Sequence, residues 1–166
     1  FSNYLAAETA AHEIVLLGPD SESEQWVSLI AQAAGLDYAI GHKTRRGDRS
    51  VVIELPESVS FAGKTVVILD DMASTGQTLA VAAAMVRERG VVDVRVLVTH
   101  ALFAEGCLER LKAAGIKQIG SSDSIPHSTN VVSMAPLLAE SLSTLLRDLR
   151  HQEVDALRKD TGDQLA

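Results

Sequence analysis

The sequence has little cysteine and few aromatic residues, and each scarcity excludes a class of protein. A single cysteine, Cys107, can form neither an internal disulfide nor a cysteine-rich metal site, so we expect a cytoplasmic protein. Aromatic residues make up only 4% of the chain, so aliphatic side chains and alanine must fill the core. No apolar run is long enough to span a bilayer, and we therefore expect no membrane partner.

Positive charge is also scarce. The net charge is −7 and the isoelectric point is near 5.2, so the chain lacks the overall positive charge that is typical of nucleic-acid-binding proteins. One local basic cluster, formed by Lys43, Arg45, Arg46 and Arg49, stands out against this acidic background. With 166 residues and 46% hydrophobic content, the chain is long and apolar enough to fold as one globular domain.

Helical and strand-like patterns alternate along the chain. We predict helices near 2–11, 22–34, 76–89 and 105–114 and from about 135, strands at 13–17, 37–41, 50–55, 65–69, 92–98, 117–120 and 130–133, and a polar loop at 43–49. The alternation predicts a three-layer α/β fold, a mostly parallel sheet with helices on both faces. We expect one domain over 1–150 and a charged, partly frayed extension over 151–166.

The stretch from Val66 to Leu79 is the strongest chemical signal. A short apolar run, Val66–Leu69, predicts a buried strand, and Asp70 and Asp71 follow it directly. Small and hydroxyl-bearing residues then lead into a helix, whose N-terminus favours a phosphate dianion. The candidate phosphate-binding residues are Ala73, Ser74, Thr75, Gly76, Gln77 and Thr78. The two carboxylates could hold sugar hydroxyls directly or through hydrated Mg²⁺, although the same residue types also cap helices and form turns.

Two further polar segments follow predicted strands. The loop that contains Lys43 and Arg45 offers cations of the kind that phosphoryl transfer needs, although a solvated, charged hairpin explains the same composition. Asp20 follows the first strand. The four residues from Ser21 to Glu24 match a capping box, which favours a structural role for part of that turn.

The motifs together resemble one family, over roughly residues 1–146. The Asp70 segment resembles the phosphoribosyl-diphosphate (PRPP) motif of type I phosphoribosyltransferases, and the other motifs resemble ribose-phosphate diphosphokinases, or PRPP synthetases. The supporting segments, in chain order, are Gly18–Trp26 with its Pro-Asp turn, His42–Arg46 with a Lys-x-Arg pattern, Val98–Phe103, Ser121–His127 and Ser133–Leu142.

The resemblance implies a phosphoribosyltransferase-like fold and a specific reaction. The family transfers the diphosphoryl group of MgATP to the 1-hydroxyl of ribose 5-phosphate, which gives PRPP and AMP for nucleotide biosynthesis. The resemblance implies that Asp70 and Asp71 hold the ribose hydroxyls directly and Mg²⁺ through water, while Lys43 and Arg45 support transfer. Asp20 is a further candidate contact. The family also implies a homo-oligomer, either a dimer or a larger ring.

The chain also departs from the family in two respects. Members are about twice as long as these 166 residues, so we expect a C-terminal half that lacks the N-terminal ATP-binding half and is inactive alone. The Ala-Gly-Gly that usually follows the turn aspartate in the family is replaced here by Ser21, Glu22 and Ser23. Two alternatives therefore stay open: a regulatory homologue without turnover, and a phosphoribosyltransferase that consumes PRPP.

Overall fold

The computed structural model describes residues 1–8, 14–46 and 50–162, and it divides the chain into two compact units. The first unit is Phe1–Val132 and the second is Ser133–Ala166. Within the described ranges, no helix combines the length and the apolar character that crossing a bilayer requires.

The first unit is an alternating α/β structure. Its helices are α1 (Ser2–Glu8), α2 (Glu24–Ala34), α3 (Gln77–Glu88) and α4 (Cys107–Ala113), and a short 3-10 turn (Ser21–Ser23) precedes α2. Its strands are β1 (Ile14–Gly18), β2 (Asp37–Ile40), β3 (His42–Arg46), β4 (Ser50–Glu54), β5 (Thr65–Met72), β6 (Asp93–His100), β7 (Gln118–Ser122) and β8 (Asn130–Val132). The predicted alternation of elements is confirmed.

Six of the strands form one parallel sheet in the order β2-β1-β5-β6-β7-β8. Along β5, Val66 and Ile68 belong to the apolar core that contains α3 and α4, whereas Val67 and Leu69 belong to the core that contains α1 and α2. A strand that is buried on both faces must be apolar at every position, which explains the continuous run in the sequence. The predicted three-layer architecture is therefore confirmed.

The sheet order fixes where a ligand can bind. The chain runs from β1 outward to β2 on one side, and β5 is the neighbour of β1 on the other side. The strand order thus reverses between β1 and β5, and in open α/β sheets ligands bind beyond the carboxyl ends of the strands at such a reversal. Asp20 follows β1, and Asp70 lies near the end of β5, so the topology brings both to this point.

Three local predictions were wrong. The predicted loop over 43–49 begins as a strand, because β3 pairs with β4 in an antiparallel hairpin from His42↔Glu54 to Arg46↔Ser50; residues 47–49 lie outside the described ranges. Strand β5 continues to Met72 rather than ending at 69, because β6 pairs with it up to His100. The turn before α2 is capped by Asp20, whose side chain accepts from the Ser23 N–H at 3.3 Å, and not by the predicted capping box.

The second unit is dominated by a single helix, α5 (Ala135–Gly162). The sequence prediction of a helix from about 135 is confirmed, and the helix continues without a break past residue 150. The predicted domain boundary at residue 150 stays a prediction.

Candidate functional site

A cavity of about 340 Å³ opens where β1 and β5 end. One wall is formed by Asp20, Glu22 and Trp26, from the turn after β1 and the first turns of α2. The other wall is the continuous segment 70–79, which runs from the end of β5 into α3. The cavity therefore combines carboxylates at the strand ends with a helix N-terminus, the two features that the sequence places together.

The segment between β5 and α3, residues 73–76, is called the phosphate loop below. It ends at Gly76, which has a φ of 72° and caps α3. A left-handed backbone at this point favours glycine, and it lets the chain turn directly into the helix. The first N–H groups of a helix have no intrahelical acceptor, and the helix dipole adds positive potential there. The N-terminus of the twelve-residue α3 is thus suited to hold a phosphate.

Neighbouring elements hold the phosphate loop at its back. The Ala73 N–H donates to the His100 carbonyl at 3.3 Å, and the Ala104 N–H donates to the Ser74 carbonyl at 3.0 Å. The Arg110 guanidinium donates to the carbonyl of Thr75. The loop is therefore fixed by the end of β6, by the segment 101–106 and by α4.

Asp70 and Asp71 lie at the β5 end of the cavity-lining segment 70–79, which leads into the N-terminus of α3. The Asp71 N–H donates to Asp70 Oδ1 at 3.0 Å, and Asp71 is exposed while Asp70 is half-buried. Burial first, and then the charges of Asp71 and Asp20, raise the pKa of Asp70 from 3.8 to about 7 against the opposing effect of that N–H. Near neutral pH, Asp70 is therefore poised between its neutral and ionised forms.

This carboxylate environment fits a divalent cation. Four carboxylates, those of Asp20, Glu22, Asp70 and Asp71, line one cavity. The charges of Asp71 and Asp20 contribute to the raised pKa of Asp70, and a bound cation would lower that pKa again. Mg²⁺ prefers oxygen ligands and usually keeps several waters rather than occupying an all-protein cage. Within the described part of the chain, no cluster of three or more His, Cys, Asp or Glu side chains could hold a metal by itself. The residues therefore fit hydrated Mg²⁺ at Asp70 and Asp71, with a ligand completing its shell.

Most of the residues singled out from the sequence line this cavity. They are Asp20, Asp70, Asp71, Ala73, Ser74, Thr75, Gly76, Gln77 and Thr78. The backbone of Lys43 and Arg45 lies in β3, which begins just after the Gly41 N–H donates to the Gly18 carbonyl at 2.8 Å, so the hairpin starts beside the end of β1. The side chains of Lys43 and Arg45 lie outside the described part of the structure.

The predicted site lacked four residues that line the cavity, Glu22, Trp26, Met72 and Leu79. The Trp26 ring contacts the α1–α2 core and also lines the cavity. Its indole Nε1 is buried and has no hydrogen-bond partner within the described residues. Glu22 lies in the 3-10 turn Ser21–Ser23, which follows Asp20 directly.

Comparison with known proteins identifies the fold and the family. The Phosphoribosyl transferase domain matches residues 2–137. The chain is 33% identical over 142 residues to a ribose-phosphate pyrophosphokinase of Methanopyrus kandleri, covering 86% of this chain and 48% of that protein. It is 30% identical over 158 residues to the enzyme of the same name from Corynebacterium efficiens, covering 89% of this chain and 48% of that protein.

Solved structures agree with this assignment. The phosphoribosylpyrophosphate synthetase from Mycobacterium smegmatis superposes with a TM-score of 0.70 at 28% identity, over 89% of this chain and 49% of that chain. An adenine phosphoribosyltransferase has the same fold, with a TM-score of 0.57 at 16% identity over 72% of each chain. The chain spans about half the length of the curated relatives that it matches. It belongs to the phosphoribosyl transferase domain family, within which its curated relatives are ribose-phosphate pyrophosphokinases, the enzymes also called ribose-phosphate diphosphokinases.

Proposed function

We propose that this chain is the ribose 5-phosphate-binding part of a ribose-phosphate diphosphokinase. The observation that carries the proposal is the cavity between β1 and β5, whose lining combines a helix N-terminus with paired carboxylates. A pentose 5-phosphate has the matching chemistry, an anionic group at one end and vicinal hydroxyls at the other. The identities of 30–33% to ribose-phosphate pyrophosphokinases support this ligand over other sugar phosphates.

The 5-phosphate binds at the phosphate loop and the first turn of α3. Backbone N–H groups and the hydroxyls of Ser74, Thr75 and Thr78 supply the donors, and the dipole of α3 favours the dianion. Asp70 and Asp71 then accept from the ribose hydroxyls. Because the pKa of Asp70 is near 7, its protonation state decides whether it also donates a hydrogen bond to the sugar.

Asp70 and Asp71 would also hold Mg²⁺, through water. When bound, the ion neutralises negative charge between these carboxylates and the phosphates of the substrates. Asp20 lies close enough for its charge to raise the pKa of Asp70, and it adds to the demand for a cation at this side of the cavity.

The reaction is a diphosphoryl transfer from ATP to the 1-hydroxyl of ribose 5-phosphate. The hydroxyl oxygen forms a bond to the β-phosphorus, the bond from that phosphorus to the α-phosphate oxygen breaks, and the hydroxyl proton and AMP are released. Such transfers depend on positioning and charge neutralisation rather than on a covalent enzyme intermediate. Lys43 and Arg45, on the hairpin that starts beside the cavity, stabilise the charge that develops on the transferred group.

We further propose that different parts of the full-length enzyme bind the two substrates. Because this chain spans about half the length of its curated relatives, the part of the enzyme outside this chain provides most of the ATP site. The chain alone binds ribose 5-phosphate but does not produce AMP. A cytoplasmic location and assembly as a homo-oligomer, a dimer or a larger ring, belong to the same proposal.

Two measurements test the proposed function. Titration of ribose 5-phosphate in the presence of Mg²⁺ can be followed by the fluorescence of Trp26, the single tryptophan of the chain and part of the cavity wall. Release of AMP from MgATP is then assayed with the longest form that the reading frame encodes. We expect release only when ribose 5-phosphate is present and a large loss in Lys43→Ala. Absence of sugar-phosphate binding would refute the proposal.

One observation favours a second candidate, a regulatory homologue that binds the ligand without turnover. Glu22 lines the cavity where the family usually has glycine, so it adds a carboxylate that would repel a further phosphoryl group. Binding of ribose 5-phosphate with no AMP release by the longest form would favour this candidate. A phosphoribosyltransferase that consumes PRPP is distinguished by release of diphosphate from PRPP when a nucleobase is present.

A further inference from the structure

The back of the phosphate loop is tied to a helix that the proposed chemistry leaves unused, α4. Two consecutive loop carbonyls point toward this side: that of Ser74 accepts from the Ala104 N–H at 3.0 Å, and that of Thr75 accepts from the Arg110 guanidinium. Arg110 lies 35 residues after Thr75, so this bond joins two distant segments. Arg110 is exposed and is not part of the cavity wall.

The two carbonyl contacts determine where the loop N–H groups point. A trans peptide is planar, with its carbonyl oxygen and its N–H on opposite sides. No cis peptide bond occurs among the described residues, so a carbonyl held at the back directs the next N–H forward. The contact on Ser74 orients the Thr75 N–H, and the contact of Arg110 on Thr75 orients the Gly76 N–H. Both N–H groups belong to the residues that line the cavity.

The loop is also packed closely against α4. A Cβ added at Gly76 would come within 2.7 Å of Cys107 Sγ and 3.1 Å of the Leu111 side chain, and both of those side chains are fully buried. Helix α4 therefore packs directly against the loop, and Arg110, which lies on this helix, donates to the Thr75 carbonyl. A hydrogen bond from a charged donor is stronger than a neutral one, so the contact restrains the peptide that carries the Gly76 N–H.

We propose that Arg110 is a positioning residue for phosphate binding, which holds the Thr75–Gly76 peptide so that its N–H faces the bound phosphate. The inference rests on the proposed function, because it assumes that a phosphate occupies the loop. Among the described residues that line the cavity there is no lysine or arginine, so the backbone donors carry more of the phosphate binding than in a site with a direct basic contact. Their orientation therefore sets the affinity.

The experiment compares the unsubstituted chain with Arg110→Gln, Arg110→Lys and a matched control, Arg87→Gln. Arg87 also lies on a helix, is exposed and donates its guanidinium to a backbone carbonyl, that of Gly115 at 3.4 Å, but it lies at the far end of α3. Ribose 5-phosphate and inorganic phosphate are titrated separately, by Trp26 fluorescence for affinity and by NMR for the amide shifts of Thr75 and Gly76. A urea unfolding curve for each variant verifies that it is folded.

We expect Arg110→Gln to bind both ligands about three- to tenfold more weakly, the loss of one charged hydrogen bond at an exposed position. Arg87→Gln should bind normally, and Arg110→Lys should recover part of the affinity. The decisive readout is the Gly76 amide shift at saturating ligand. If Arg110 acted only through its charge, affinity would fall but the saturated shift would not change; if it positions the peptide, the saturated shift moves as well.

The possible negative results distinguish the positioning role of Arg110 from the proposed function. Equal affinity and an equal saturated Gly76 shift in the unsubstituted chain and Arg110→Gln would overturn the positioning role and leave the proposed function intact. A weaker affinity with an unchanged saturated shift would also overturn it. No binding of ribose 5-phosphate to the unsubstituted chain would overturn the proposed function, and the positioning role with it.

Discussion

Replacing Asp70 by asparagine should stabilise the fold, and the gain should depend on pH. In the folded chain, burial first, and then the charges of Asp71 and Asp20, raise the pKa of Asp70 to about 7 from an ordinary 3.8. Between these two values the unfolded chain releases the proton while the folded chain retains it. The free energy of unfolding therefore falls as pH rises through this window, and above pH 7 the full penalty is present.

The size of the effect follows from the shift. A rise of about three pKa units corresponds to about 4 kcal/mol at about 1.4 kcal/mol per unit, which is an upper limit. Asp70 is only half-buried, so solvent screening reduces this value, and we expect about 1–2 kcal/mol. Asparagine keeps an oxygen that can accept from the Asp71 N–H and carries no charge. Asp70→Asn should therefore raise the free energy of unfolding by about 1–2 kcal/mol at pH 8, and by little below pH 4.

The assay is urea unfolding at pH 4, 6 and 8 without divalent cations, with the unsubstituted chain and a control variant, Asp148→Asn. Asp148 is an exposed carboxylate on α5, so its loss should change stability little at any pH. The same variant, Asp70→Asn, should lose ribose 5-phosphate binding, which would show that the destabilising carboxylate is retained for function. An equal change in stability at pH 4 and pH 8, or destabilisation at pH 8, would refute the reasoning.

Three further predictions concern single residues. Gly76→Ala should lower the free energy of unfolding by about 1–3 kcal/mol, because alanine is strained at a φ of 72° and its Cβ would meet Cys107 Sγ. The same variant should lose ribose 5-phosphate binding in calorimetric titrations, and normal binding would contradict this prediction. Ser122→Ala should lower the free energy of unfolding, measured with urea, by about 1 kcal/mol, because the buried Ser122 hydroxyl donates to the Thr99 carbonyl at 2.7 Å. Its affinity for ribose 5-phosphate should not change, and a large loss of affinity would contradict the assigned site. Mg²⁺ should bind more tightly as pH rises from 6 to 8, because Asp70 ionises in this range; a pH-independent affinity in calorimetric titrations would contradict its role as a ligand.

The fold was predictable from the sequence where burial dictates residue type. The apolar run of β5 predicts a strand that is buried on both faces, and the alternation of such runs with helical patterns predicts a parallel sheet. Strand β3 was not predictable, because its polar residues form a strand only through pairing with β4, and local composition does not report a partner. The end of β5 was misplaced for the same reason, since its last residues pair with β6.

The candidate site was predictable where topology brings strand ends together. Asp20 and the Asp70 segment follow strands of one parallel sheet, so their meeting follows from the fold. Glu22 and Trp26 were missed because their placement depends on the 3-10 turn before α2. Arg110 was missed because its contact with Thr75 depends on how α4 docks beneath the phosphate loop, which no local pattern encodes.

The most direct test of the central claim is an amide NMR titration of this chain with ribose 5-phosphate and Mg²⁺. We expect the largest shifts in the phosphate loop, the first turn of α3 and the Asp70–Asp71 pair, and we expect inorganic phosphate to reproduce only the loop and helix shifts. The absence of shifts, or shifts confined to residues outside the cavity between β1 and β5, would contradict the central claim.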